Sequence, residues 1–128
     1  MRLLRARARA EVLQWFGLLG AALAWTGQHV VGFGVTVARC DVVGGRWGIS
    51  IHTWEIGVMA VSLMIVLLAE AAALRVLLST RGVEDEAAPP VGRHHFFATG
   101  AALANVLFAV AIVLSTTATL VNGSCRQA

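Results

Sequence analysis

The run from His52 to Leu78 limits this chain more than any other stretch, because Ile56 to Ala69 carries no charged residue at all. With its flanks it exceeds the about 20 apolar residues that a helix needs to cross a bilayer. It also carries residues that are costly there: Glu55 near one end and Glu70 near the other. At about 100° per residue, His52, Glu55, Met59, Ser62, Val66, Glu70 and Ala73 share one broad face of a helix. Val61, Ile65, Leu68, Ala72 and Val76 fall on the other side. A polar stripe on a membrane helix packs inward, so the first face is expected in a bundle interior and the second against lipid.

Two further apolar runs flank this one, and the pattern predicts an all-α membrane protein with three transmembrane helices, over about 12–37, 52–78 and 96–121. Composition agrees: 58% of residues are apolar and 13% charged, with a mean hydropathy of +0.76, whereas soluble domains are roughly 25% charged. Residues 1–11 form a basic arm, and 79–94 a hydrophilic linker with Glu84 to Glu86 and Pro89-Pro90; residues 12–128 read as a single membrane domain. A basic start followed by apolar sequence also fits a secretory signal. The first run is far longer than an h-region of about 7–15 residues, however, and no A-x-A site follows it, so an uncleaved first helix is expected. Gly17, Ala21, Ala24, Gln28 and Gly32 form a small-residue seam along that helix, of the kind that lets membrane helices approach closely.

All ten basic residues are arginines, and most flank the apolar runs. Their distribution reads as an orientation signal rather than a nucleic-acid footprint. With three crossings, Arg2, Arg5, Arg7, Arg9, Arg75, Arg81 and Arg93 lie on or near one side, and Arg39, Arg46 and Arg126 on the other. The positive-inside rule then places the N-terminus in the cytoplasm and the C-terminus outside. Cys40 and Cys125 each follow a helix end by a few residues at the outer surface, where disulfides persist. A bond between them would fix the outer ends of the first and third helices; two unrelated thiols are the other possibility.

Depth selects which intramembrane polar residues can meet. At 1.5 Å per residue, Glu55 and Glu70 are about 22 Å apart along their helix. His29 comes within about a turn of Glu55, and Asn105 within a turn of Glu70. An outer pair, His29 with Glu55, and an inner pair, Glu70 with Asn105, are therefore expected. Ionisable residues in a membrane mark proton, ion or quinone sites by default; the plainer alternative is that they bind helices to one another or to a partner. His52, His94 and His95 lie too far from His29 in depth for two imidazoles to face one iron. There is no C-x-x-C, zinc spacing, Walker loop or Rossmann loop. A soft copper set from Cys40, Cys125, His52 and Met59 is conceivable, but weaker than the disulfide. No resident cofactor or metal is expected.

Trp15, Gly20, Trp25 and Gln28 in the first helix form W-x4-G-x4-W-x2-Q. Cys40, His52, Phe108 inside the third helix and Cys125 follow. This arrangement resembles small bacterial membrane proteins that accompany cytochrome c oxidase and related respiratory gene clusters. The resemblance implies a non-catalytic accessory subunit or assembly factor of a respiratory complex in a bacterial inner membrane. Its partners would be the lipid bilayer and other integral membrane subunits, not nucleic acid. Two other readings remain open on the residues alone: a small proton- or cation-coupled transporter using Glu55 or Glu70, and a haem- or quinone-binding electron-transfer subunit.

Overall fold

The structure is a computed structural model that describes residues 2–40, 50–83 and 87–122. Three helices account for nearly all of these: α1, Arg2–Cys40; α2, Ile51–Ser79; and α3, Val91–Val121. Among the described residues there is no strand. The helices run 39, 29 and 31 residues, or about 58, 43 and 46 Å. Each is long and apolar enough to cross a membrane, so the chain is an all-α, multi-pass membrane protein.

Two boundaries differ from expectation. The basic arm is helical from Arg2, so α1 extends well past the about 30 Å of a hydrocarbon core. α3 begins at Val91, which takes Val91 to His94 out of the linker and into a helix. Pro90 occupies the N-cap, where a fixed φ and a missing N–H cost nothing. Gly92 follows it so closely under the linker that a Cβ there would collide with the Ala87 carbonyl oxygen. The other linker end is tied down by Thr80, which is buried at the α2 C-cap. Its hydroxyl bonds the Val76 and Leu77 carbonyls and lies 2.9 Å from His95 Nδ1, joining α2 to α3. At the start of α2, Ser50 Oγ accepts the Thr53 N–H at 3.2 Å, a side-chain N-cap.

All three helix pairs are in contact, and small side chains line the contacts. Ala21, Ala24, Val66 and Ile112 form the middle of the core, with Trp25, Met59, Leu63, Ile65, Phe108 and Ala109 packed around it. Where α1 meets α2 the approach is closest: a Cβ on Gly17 would sit 3.0 Å from Ala73 N, and one on Gly20 3.0 Å from Ala69 Cβ. The expected seam is thus real over Gly17, Ala21 and Ala24, with Gly20 joining it.

The division of α2 into two faces needs correcting. Ser62, Val66 and Ala73 are buried as expected, but so are Ala69, Ala72 and Val76, against the lipid face expected of Ala72 and Val76. Ile65, expected there too, packs against the core, whereas Val61 and Leu68 are exposed. The buried positions 62, 66, 69, 73 and 76 alternate steps of four and three, a seam of period 3.5 that a straight 100° wheel does not track. Ala69 rather than Glu70 therefore turns toward α1, where Gly20 leaves room only for a methyl group.

A candidate site at the Cys40 end of the bundle

Polar cross-links join the helices at several levels. Asn105, 1% exposed, donates through Nδ2 to the Gly17 carbonyl at 3.1 Å. Ser62 Oγ donates to the Ala24 carbonyl at 3.4 Å. Gln28 Nε2 donates to Thr116 Oγ1 at 2.7 Å. Such contacts typically contribute about 0.6 kcal/mol each in a membrane. They fix the helix rotations rather than supply most of the stability.

Beyond Gln28 the helices part. Gly32 has nothing within 4 Å of its Cβ position, so the seam stops being a packing surface there and becomes a wall. The space is a cavity of about 600 Å³ between the last turns of α1, the first turns of α2 and the last turns of α3, within the range of small-molecule sites. His29 and Glu55 both line it, together with Trp54, Ser115, Thr116 and Thr119; Phe33, Val37 and Val58 supply apolar wall.

The structure thus brings His29 and Glu55 to one cavity but does not pair them. His29 is exposed; its Nδ1 donates to the Trp25 carbonyl at 3.0 Å, and its ring lies 4.5 Å from the Trp25 ring. That contact, one turn back along α1, ties the imidazole to its own helix. Glu55 Oε2 is buried with no hydrogen-bond partner. The inner pair is corrected in the same way. Gly17 touches Ala73 and accepts from Asn105, so Asn105 and Glu70 do lie within a turn of each other in depth. Yet Asn105 faces α1, whose glycine leaves the backbone carbonyl uncovered. Asn105 Oδ1 and Glu70 Oε2 each stay buried without a partner.

Trp54 and the polar side chains of α3 were missed as site residues. The S-T-T-A-T stretch from Ser115 to Thr119 was the available signal, since hydroxyls concentrated at one helix end mark a wet surface. Cys40 ends α1, while Cys125 lies outside the described residues. No group of three or more potential metal ligands occurs among the described residues. Comparison with protein-family models, with curated proteins and with solved structures gives no match.

Proposed function

We propose that this chain is a non-catalytic accessory subunit or assembly factor of a bacterial respiratory membrane complex of the cytochrome c oxidase kind. The observation that carries the reading lies on the outward side of α1. Gly27 and Gly34, seven residues apart and so on one face, are both exposed, and a Cβ on either would meet nothing within 4 Å. The inner seam of α1 is used up against α2 and α3 as far as Gln28. This second small-residue face leaves room for the close approach of a helix from another subunit, the packing that drives association in lipid. The respiratory identity rests on the resemblance of Trp15, Gly20, Trp25, Gln28 and the residues that follow. Purification of the tagged chain from its native membranes in mild detergent is expected to recover respiratory subunits. Gly27→Leu/Gly34→Leu is expected to lower that recovery about tenfold, the equivalent of about 1.4 kcal/mol. Wild-type chain recovered without respiratory subunits, or a variant that retains them fully, rejects the proposal.

The same proposal places the N-terminus in the cytoplasm and a disulfide between Cys40 and Cys125 outside. The arginine distribution supports the orientation. Cys40 closes α1 at the end of the bundle away from the basic arm, which suits such a bond. Intact, unreduced protein should be lighter by a pair of hydrogens than the reduced form and should resist alkylation. Complete alkylation of both cysteines in unreduced membranes would count against the bond and the orientation together.

A further inference from the structure

We infer that the cavity at the Cys40 end is a binding site for a lipophilic amine: a protonated primary or secondary ammonium group on an apolar body. The argument begins with where the hydrogens go. On α3, Ser115 donates to the Ala111 carbonyl, Thr116 to the Ile112 carbonyl and Thr119 to the Thr116 carbonyl, at 2.6, 3.0 and 2.8 Å. Asn122 Nδ2 donates to the Ala118 carbonyl at 2.9 Å. Each hydroxyl spends its one donor on its own helix, so toward the cavity it has lone pairs to offer, while the Asn122 amide keeps its oxygen and one N–H. On α1, Gln28 spends one of its two amide N–H donors on Thr116 and leaves Oε1 buried without a partner. His29 spends Nδ1–H on Trp25, which leaves only Nε2 for a ligand. On α2, Glu55 adds a carboxylate oxygen that is buried and unpartnered.

The lining therefore holds more acceptors than donors. Buried acceptors without partners are costly, and a carboxylate at membrane depth more so. An ammonium group supplies several N–H donors and the compensating charge at once. A quinone or other carbonyl ligand brings only acceptors and would leave Gln28 Oε1 and Glu55 Oε2 without partners. The volume is far larger than a bare alkali ion fills, and Phe33, Val37 and Val58 suit an apolar body. Trp54 contributes both an indole face, which attracts ammonium groups, and an unpartnered Nε1–H for an acceptor on that body.

The test uses the full-length protein in nanodiscs of zwitterionic lipid, with dansylcadaverine as probe and energy transfer from tryptophan as readout, less the signal of protein-free discs. Its N-acetyl derivative has the same body without the charge. Saturable transfer is expected for the amine, with affinity at least tenfold above that of the acetylated compound; Glu55→Gln should remove that preference, whereas Glu70→Gln should keep it. Equal affinity of the two compounds for wild-type protein overturns the inference without recourse to any variant. So does a Glu55→Gln protein that retains the preference, or displacement of the amine by sodium but not by choline at equal concentration, which would mark an alkali-ion site.

Discussion

Gly17→Leu should open the bundle between α1 and α2 and cost at least about 3 kcal/mol, the upper range for overpacking a filled contact. A Cβ at this position would already lie 3.0 Å from Ala73 N, 3.2 Å from its Cα and 3.3 Å from its Cβ. Two of those three atoms are backbone, so no rotamer change relieves the overlap, and the helices must move apart. Separation would also break the hydrogen bond from Asn105 to the Gly17 carbonyl, because α3 is held to α1 at the same level. Gly17→Ala should show a smaller loss of the same kind. Gly27→Leu, which enters open space, should leave the isolated chain as stable as wild type. Reversible unfolding in mixed detergent micelles ranks the three variants. If Gly17→Leu and Gly27→Leu unfold together, the close approach of α1 and α2 is not what holds this bundle.

The elements that could be read from the sequence are those whose cause is local. Three apolar runs, each long enough for a membrane, give three helices whatever else happens. Depth was legible for the same reason: a fixed rise per residue puts His29 level with Glu55 and Asn105 near Glu70, and the cavity and the Gly17 contact agree with both. Direction was not legible. Whether a side chain at a given depth points to one neighbour or the other depends on a few tens of degrees of helix rotation. Here that rotation is set by the approach of Gly17 and Gly20 to Ala73 and Ala69. The approach turns Ala69 rather than Glu70 toward α1 and leaves Asn105 facing a glycine carbonyl. The cavity was hidden too, because it results from the seam running out at Gly32, and a sequence shows glycines that pack and glycines that do not in the same letters. The early start of α3 is obscured by composition: Val91 to His94 read as polar linker until Pro90 is recognised as a cap.

Ile112→Ala should destabilise the protein by about 2 kcal/mol, at the low end of the range known for large-to-small core changes in water-soluble proteins. Leu114→Ala, two residues away on the same helix, should change stability by no more than about 0.5 kcal/mol. In water both leucine and isoleucine would gain from leaving solvent, but Leu114 is 64% exposed on a face expected against lipid, and lipid tails are as apolar as a protein core. The transfer part of the usual cost is then nearly absent from both substitutions. What remains is the loss of dispersion contacts and the void left behind, and only Ile112 has those to lose. It is fully buried between Ala21 and Ala24 of α1 and Val66 of α2, all small or β-branched residues that cannot extend to fill a space left by four carbons becoming one. Unfolding in the same detergent mixture measures both variants. Equal losses would mean that the bundle is held by a general preference for apolar surface, and that the fitted contact of these four residues is not the source of its stability.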